Sequence, residues 1–310
     1  MTMNSIPTAP AHIAEGLPRF RSGEARQRYM AAYDALVRAW PVPCEELDLP
    51  TRLGPAHVIA CGPKDAPPLL LLPSFAASAA VWRLNAEGLS RHFRVYALDV
   101  LGQGGKSVAT RKLRNRSDYA GWITDVLDAL GVARTSIVGN SFGGFMAMSQ
   151  AALTPERVDR VVLISPVGVF ASQYWKLTWA TRIKAPLQKL ARRLTGSTKT
   201  RSLADMGLRP PRDMRWAALM GVTMTSFAEV SVSRAPAFSG RELRAIRAPA
   251  LLLIGDGETL YEPEAMLKRA QGRMPGLEGA VVREADHMAA LAQPEDVNAR
   301  IIRFVLAGSA

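Results

Sequence analysis

Short apolar runs recur along the chain, and each has the length of a β-strand. Several are apolar at nearly every position, which is typical of strands buried on both faces of a sheet. Strands of this kind usually belong to a parallel sheet that is covered by other elements. The predicted strands lie at residues 57–60, 69–72, 95–100, 136–138, 161–164, 251–254 and 280–282.

Helical patterns alternate with these runs. The first extends from Arg21 to Trp40, where apolar side chains fall at helical spacing until Pro41 ends the pattern. Alternation of strands with helices predicts an α/β fold, with a mostly parallel sheet and helices on both faces. Further helices are predicted at residues 79–90, 118–130, 145–153, 263–271 and 294–305.

One long segment, residues 168–246, interrupts this alternation. It is rich in Trp, Met, Lys and Arg and contains no run that resembles a strand. We interpret it as a helical cap inserted after the sixth strand of the core. The predicted organisation is a mobile N-terminus at 1–20, a core at 21–167 and 247–310, and the cap between the two parts of the core.

Composition supports a single large domain with an insertion. The chain has 310 residues, of which 48% are hydrophobic, and no apolar run is long enough to cross a bilayer. The first twenty residues hold several prolines and no continuous apolar stretch, so we expect no secretory signal and a cytoplasmic protein. Cys44 and Cys61 are the two cysteines, which provides neither a disulfide framework nor a metal-ligand spacing.

Positive charge is concentrated in the predicted cap. The net charge is +12, and residues 182–215 contain ten Lys and Arg against two Asp. Such a surface attracts anionic substrates, lipid headgroups or nucleic acid. No nucleic-acid motif accompanies it, so no nucleic-acid partner is expected and we interpret this charge, like that of residues 111–116, as solvated helix faces. Weak contact with an anionic surface is the alternative.

A candidate nucleophile lies where a predicted strand turns into a helix. Gly139-Asn-Ser-Phe-Gly143 follows the apolar residues Ser136-Ile-Val and precedes a helical pattern. This arrangement is typical of the nucleophile elbow, in which small residues on either side of a strained serine prevent a steric clash. We therefore predict that Ser141 projects its hydroxyl at the top of the sheet.

A serine nucleophile needs a base, and the base needs an acid to orient it. In sheets of this type the chain order is serine, acid, histidine. His12, His57 and His92 all precede Ser141. His287 lies between the last predicted strand and the last helix, where a loop can reach back over the elbow, and it is the predicted general base.

The acid should lie in the loop after the strand at 251–254, which reads Gly255-Asp-Gly-Glu258. Glu258 is the predicted acid, because the acid in similar loops usually lies three places after the glycine. Asp256 is the alternative acid, and its other interpretation is a turn cap. Asp286 is adjacent to His287 but is interpreted as a local hydrogen-bonding residue.

Two backbone N–H groups should stabilise the oxyanion of a tetrahedral intermediate. One is the N–H of Phe142, the residue after the nucleophile, at the start of a helix. The other should come from the loop Pro73-Ser-Phe-Ala-Ala-Ser78, in which Phe75 is the candidate. The side chain of Phe75 also fits the wall of an acyl pocket, and the two roles are compatible.

From Arg21 to Val305 the chain resembles α/β-hydrolase fold proteins of the carboxylesterase type. The resemblance rests on the elbow, the acid loop and three further segments: Tyr96-Ala-Leu-Asp-Val-Leu-Gly-Gln-Gly-Gly-Lys-Ser107, Asp286-His-Met and Gln293-Pro-Glu-Asp-Val. It implies an eight-stranded sheet and hydrolysis of small-molecule carboxylic esters through an acyl-enzyme, with no cofactor or metal. Pro73-Ser74 departs from the His-Gly usual in the family, and a glutamate acid is a milder departure.

Several functions remain open at this point. Ser141 argues against the dehalogenase and epoxide-hydrolase chemistry of this fold, which uses an aspartate. The same three residues serve thioesterases, lactonases and acyltransferases, and a non-catalytic binding protein on this fold is a further alternative. Large apolar residues in the cap form either helical core or the roof of a pocket for an apolar acyl or aryl group: Phe170, Tyr174, Trp175, Trp179, Met206, Met214, Trp216, Met220, Met224 and Phe227.

Overall fold

The computed structural model describes residues 17–171, 213–230 and 236–307. Each strand predicted from an apolar run is present, with bounds that differ by a few residues. The strands are β1 (Arg19–Phe20), β2 (Cys44–Leu49), β3 (Ala56–Cys61), β4 (Pro68–Leu72), β5 (Arg94–Leu98), β6 (Thr135–Asn140), β7 (Val158–Ile164), β8 (Phe227–Glu229), β9 (Ala250–Gly255) and β10 (Glu278–Val282).

Eight of these strands form one sheet, in the order β2-β3-β5-β4-β6-β7-β9-β10. β2, β3 and β5 pair antiparallel, and every other pair in the sheet is parallel. The central strands β6 and β9 are buried throughout and β4 at every position but the first, as their continuous apolar runs predict. The carboxyl ends of the parallel strands therefore meet at one edge of the sheet, where ligands bind in open α/β folds.

Helices cover both faces of this sheet, and two apolar clusters fill the space between them. Alternate residues of β4 point to opposite clusters: Leu70 and Leu72 to one, Leu69 and Leu71 to the other. The helices are α1 (Gly23–Arg38), α2 (Arg83–Ser90), α3 (Arg116–Ala129), α4 (Phe142–Leu153), α5 (Met214–Ser226), α6 (Gly240–Ala245), α7 (Pro263–Arg273), α8 (Ala289–Ala292) and α9 (Pro294–Leu306).

Two elements differ from the sequence prediction. The edge strand β2 was not predicted, because Glu45, Glu46 and Asp48 interrupt its apolar pattern. α4 begins at Phe142 rather than at Phe145, so it starts directly after Ser141. The glycines in its first turn hide the helical pattern, and tertiary packing rather than helix propensity forms this turn.

The N-terminal boundary and the cap also differ. Residues 17–20 are held in the fold, since Leu17 pairs with Ala109 and β1 pairs with β8. The expectation of no strand within residues 168–246 is therefore wrong at β8. Phe227 in β8 packs against Phe20 and Tyr29, with ring centroids 4.6 and 4.8 Å apart, and this aromatic contact stabilises the short strand pair.

Much of the predicted cap lies outside the described residues, namely 172–212 and 231–235. Tyr174, Trp175, Trp179 and Met206 are among these residues, so their predicted use remains a prediction. In the described part, Trp216 is buried, while Met214 and Met224 are exposed. No helix in the described ranges is long and apolar enough to cross a membrane.

Candidate active site

Ser141 occupies the sharp turn between β6 and α4, with φ 54° and ψ −111°. Residues other than glycine rarely adopt this backbone conformation. The two flanking glycines make it sterically accessible to Ser141. A Cβ on Gly139 would lie 2.3 Å from the backbone of Gly143, and a Cβ on Gly143 would lie 2.3 Å from the carbonyl oxygen of Leu72. Any larger residue at position 139 or 143 would therefore clash with the neighbouring backbone.

Backbone hydrogen bonds hold this strained turn. The Ser141 N–H donates to the carbonyl of Ile164 at 2.8 Å, and the N–H groups of Gly144 and Val167 donate to the Ser141 carbonyl at 3.0 and 3.2 Å. The residue is 6% exposed. The turn is thus fixed by both α4 and the end of the neighbouring strand β7.

His287 and Glu258 meet Ser141 at the carboxyl edge of the sheet. His287 follows β10 and Glu258 follows β9, so the loops of parallel strands bring them to the elbow. His287 Nε2 lies 2.9 Å from Ser141 Oγ, and His287 Nδ1 lies 2.7 Å from Glu258 Oε2. Hydrogen bonds thus connect the three side chains in the order serine, histidine, glutamate.

The Glu258 carboxyl is completely buried and well supplied with donors. Its Oε1 accepts from the N–H groups of Thr259 and Leu260 at 2.8 and 2.9 Å. Burial raises the pKa of Glu258, but the hydrogen bond and charge of His287 and the Leu260 N–H outweigh it, so this pKa is lowered. An ionised carboxylate accepts only, so His287 Nδ1 carries a proton; when the ring is neutral, Nε2 accepts from Ser141.

Asp256, the alternative acid, has a different environment. Its carboxylate accepts from the N–H groups of Glu284 and Ala285 at 2.9 and 3.1 Å. These bonds tie the loop after β9 to the loop after β10. The carboxylate of Glu258, and not that of Asp256, contacts His287. Asp286 accepts from the N–H of Met288 at 2.8 Å, which is a local bond of the expected kind.

The two candidate oxyanion donors lie on segments that touch. Gly143, next to Phe142, approaches the carbonyls of Leu72 and Pro73 so closely that a Cβ would clash with both. Neither the Phe75 N–H nor the Phe142 N–H has a hydrogen-bond partner among the described residues. The Phe142 side chain is buried, whereas that of Phe75 is 42% exposed.

Asp99 braces the segment that follows residues 73–78, a role that the sequence analysis did not identify. Its buried carboxylate accepts from the N–H groups of Ala79 and Lys106 at 2.6 and 2.7 Å and from the Tyr33 hydroxyl at 3.0 Å. Burial raises the pKa of Asp99 despite the lowering effect of His57 and of these N–H donors. The sequence did contain a signal for this role, because Asp99 is a charged residue directly after the buried apolar strand β5.

No cluster of three potential metal ligands occurs in residues 17–171, 213–230 and 236–307. In the same ranges Cys44 and Cys61 are free thiols, and Cys61 is buried. Burial raises the pKa of the Cys61 thiol to about 11, so it remains protonated at neutral pH.

The hydrogen bonds among Ser141, His287 and Glu258 can support nucleophilic attack by Ser141 with His287 as base.

Comparison with known proteins identifies relatives over nearly the whole chain. The alpha/beta hydrolase fold family model matches residues 67–294. Carboxylesterase YbfK of Bacillus subtilis is 32% identical over 94% of this chain and 97% of its own. A second Bacillus subtilis protein, the uncharacterized carboxylesterase nap, is 33% identical over 89% of this chain and 92% of its own.

Solved structures agree with this assignment. The naproxen esterase of Bacillus subtilis superposes with a TM-score of 0.75 at 31% identity, covering 92% of this chain and 99% of the esterase. Carboxylesterase CesB (YbfK) of the same organism gives a TM-score of 0.76 at 30% identity, with the same coverage. The chain therefore belongs to the α/β-hydrolase fold family and is a carboxylic-ester hydrolase of the carboxylesterase type.

Proposed function

We propose that this protein hydrolyses small-molecule carboxylic esters through an acyl-enzyme formed on Ser141. The observation that carries the proposal is the pair of hydrogen bonds, 2.9 Å and 2.7 Å, that link Ser141 Oγ to His287 and His287 to Glu258. The nucleophile hydrogen-bonds the base and the base hydrogen-bonds the acid, in the order that serine hydrolysis requires.

In the first half of the reaction, Ser141 Oγ attacks the ester carbonyl and its proton passes to His287 Nε2. Glu258, ionised through its lowered pKa, stabilises the imidazolium that forms. The N–H groups of Phe142 and Phe75 receive the oxyanion. When the intermediate collapses, the bond to the leaving alkoxide breaks, and the alkoxide takes the proton from His287.

The second half regenerates the enzyme. Water attacks the acyl carbon while His287 Nε2 accepts one of its protons, and the same two N–H groups stabilise the second oxyanion. Collapse of this intermediate breaks the bond between Ser141 Oγ and the acyl carbon, and His287 returns the proton to Ser141. The products are the alcohol and the carboxylic acid, and no cofactor enters these steps.

We infer that the acyl or aryl group of the substrate is apolar. A relative that is 31% identical is named a naproxen esterase, which supports an aryl ester as the first substrate to test for this chain. The partly exposed Phe75 side chain adds apolar surface to the loop of residues 73–78, whose first residue lies against Gly143 of the elbow. The contribution of the cap to this pocket, and the cytoplasmic location predicted from the sequence, stay predictions.

A fluorophosphonate probe tests the proposal directly. We expect one probe per chain, attached at Ser141 and identified by peptide mass spectrometry, and no labelling of Ser141→Ala. Ser149→Ala is a matched control, because Ser149 is a buried hydroxyl in α4 that hydrogen-bonds the Phe145 carbonyl. A wild-type protein that resists the probe would support a non-catalytic binding role instead.

Substrate class is tested by comparing kcat/KM for aryl esters of increasing acyl length with kcat/KM for matched thioesters and lactones. We expect the highest value with an ester that carries an apolar acyl group. Higher values for thioesters or lactones would keep the mechanism on Ser141 but reject ester hydrolysis as the main reaction.

A further inference from the structure

We propose that Gln103 is a positioning residue for catalysis, which holds the oxyanion loop, residues 73–78, in its active conformation. The inference rests on the proposed function, because it concerns the Phe75 N–H that would receive the oxyanion. It concerns the same loop in which Pro73-Ser74 departs from the usual His-Gly of the family. The side chain of Gln103 supplies a constraint from a neighbouring turn.

The oxyanion loop adopts a conformation that needs external support. Ala76 has φ 59°, in the left-handed region that residues with a Cβ avoid. Inside the loop, one backbone hydrogen bond is formed, from the Ala77 N–H to the Ser74 carbonyl at 3.1 Å. A loop with a strained residue at its centre and a single internal bond will relax unless neighbouring groups fix it.

Gln103 provides a fixed contact at the strained residue. Its side chain is completely buried, and its Oε1 accepts from the Ala76 N–H at 2.9 Å. The N–H donor requires an acceptor opposite it, which assigns the side-chain oxygen rather than the amide nitrogen to this position. The bond fixes the peptide plane between Phe75 and Ala76. It thereby restrains, across one residue, the preceding peptide that carries the Phe75 N–H.

The turn that carries Gln103 also packs directly on the loop. The Gln103 N–H donates to the Val100 carbonyl at 3.1 Å, and a Cβ on the next residue, Gly104, would lie 2.6 Å from the Ala76 carbonyl oxygen. Asp99, at the start of this turn, accepts from the Ala79 N–H just beyond the loop. The Gln103 hydrogen bond and the close approach of Gly104 therefore hold the turn against the centre of the loop, and the Asp99 bond holds it just beyond the loop's end.

Displacement of this loop would separate the two oxyanion donors. On its other side, the loop touches the elbow, where Gly143 meets the backbone of Leu72 and Pro73. The Phe142 N–H is fixed by α4, so only the Phe75 N–H moves when the loop relaxes. Because the donors must converge on one oxygen, this movement weakens transition-state stabilisation more than substrate binding.

The test replaces Gln103 by Met, which has a similar length and no comparable acceptor. We expect Gln103→Met to lower kcat for an aryl ester by about 10- to 100-fold, with KM within about threefold of wild type. Gln150→Met is the matched control, since Gln150 is an equally buried glutamine with one side-chain hydrogen bond, to Thr124 at 3.0 Å in the packing of α3 on α4. Its kcat should remain near that of wild type.

Hydrogen–deuterium exchange of the peptide spanning residues 73–78 gives a readout that does not depend on activity. We expect faster exchange in Gln103→Met and wild-type exchange in Gln150→Met. Gln103→Glu keeps an acceptor oxygen in either protonation state, so its loop should exchange like that of wild type. This second variant also keeps the inference testable if Gln103→Met does not fold.

The outcomes separate this inference from the proposed function. An unchanged kcat in a folded Gln103→Met, or loss of loop protection in Gln103→Glu, overturns the role of Gln103 as the acceptor. A Gln103→Met variant that raises KM and leaves kcat unchanged also overturns it. Wild-type protein that resists the fluorophosphonate probe defeats the proposed function, while the exchange data still decide whether Gln103 holds the loop.

Discussion

At the residue scale, two carboxylates only two positions apart have opposite surroundings. Glu258 is buried, accepts two backbone N–H groups through one oxygen and contacts His287 through the other. Asp256 uses its carboxylate to join two loops. Sequence spacing alone favoured Glu258 and kept Asp256 as the alternative. Neutralising Glu258 should therefore affect catalysis, whereas neutralising Asp256 should affect stability.

We predict that Glu258→Gln lowers kcat by about 10²-fold or more, because a neutral amide neither stabilises the imidazolium nor fixes the proton on Nδ1. Asp256→Asn should leave kcat within about tenfold and instead lower the free energy of unfolding by about 1–2 kcal/mol, since an amide accepts poorly from both loop N–H groups. Ester kinetics and urea denaturation of both variants check the two effects. The reverse ranking of kcat would assign the acid to Asp256.

Ser141, Glu258 and His287 could be proposed from sequence because each lies beside a local signal: a strand, a turn or the start of a helix. Gln103 could not. Its partner, the Ala76 N–H, is 27 positions away, and a buried glutamine produces no periodic pattern. The position of such a side chain depends on how two loops pack, which is decided by tertiary structure.

At the element scale, strand β2 shows where periodicity fails. Partly buried and exposed positions alternate from Glu45 to Leu49, and three of its six residues are acidic. Charged side chains on an edge strand are common because they discourage pairing with other chains. β2 forms because it pairs with β3, which lies directly opposite and is buried throughout, and not because of its own sequence pattern.

His57 links these two strands, and its titration should affect stability. Its Nδ1 lies 2.7 Å from Asp48 Oδ1, and its Nε2 lies 3.1 Å from Glu46 Oε2, with Asp99 and Lys106 also near the ring. Burial lowers the pKa of His57, but the hydrogen bond from the ring to Asp48 and the charges of Asp99 and Asp48 outweigh it. The pKa is therefore raised.

A raised pKa in the folded state means that the protonated ring stabilises the fold. This contribution is complete below the unfolded pKa, about 6.5, and is lost as the pH rises through the folded value. We predict that the difference in unfolding free energy between wild type and His57→Gln is larger at pH 6 than at pH 9, measured by urea denaturation. A difference that grows with pH would contradict the sign of this shift.

Arg83 and Asp213 connect α2 of the core to α5 of the predicted cap. Arg83 Nε lies 2.7 Å from Asp213 Oδ2, and Asp213 also caps α5 by accepting from the N–H groups of Arg215 and Trp216. The Asp213 side chain is 2% exposed. Removal of the guanidinium would leave a buried carboxylate with backbone donors alone.

We predict that Arg83→Met lowers the free energy of unfolding by about 1–3 kcal/mol. Arg91→Met is the control, because Arg91, just after α2, forms an exposed pair with Glu87 and should change stability by about 0.5 kcal/mol or less. Denaturation midpoints of both variants give the comparison. Equal effects would show that the contact between α2 and α5 adds nothing beyond an ordinary surface ion pair.

At the scale of the whole molecule, the candidate site depends on the parallel sheet. Ser141 and His287 are 146 positions apart in the chain, yet the carboxyl ends of β6 and β10 lie at the same edge. The alternation of apolar runs and helices predicted this sheet well. It did not predict that residues 17–20 join the fold by pairing with residue 109 and with β8, because pairs so distant in sequence leave no local pattern.

The chain carries a net charge of +12. Many cations of the described ranges have an acidic partner, for example Arg52 with Asp125 and Arg116 with Glu242. The basic segment 182–215 lies almost wholly outside those ranges, and its sequence gives ten cations against two Asp. If this segment steers anionic substrates, kcat/KM for an acidic ester should fall as salt is added, whereas that for a neutral ester should hold.

We expect no difference between the two esters, because the sequence analysis interprets these charges as solvated helix faces, and salt screens solvated charges within about 10 Å at 0.1 M. The measurement is kcat/KM at 0.02 and 0.5 M NaCl for a neutral aryl ester and an acidic analogue of similar size. The double variant Arg192→Gln/Arg193→Gln removes two neighbouring cations of the segment and should change neither value. A salt response confined to the acidic ester, and lost in the double variant, would show that the segment does steer substrates towards Ser141.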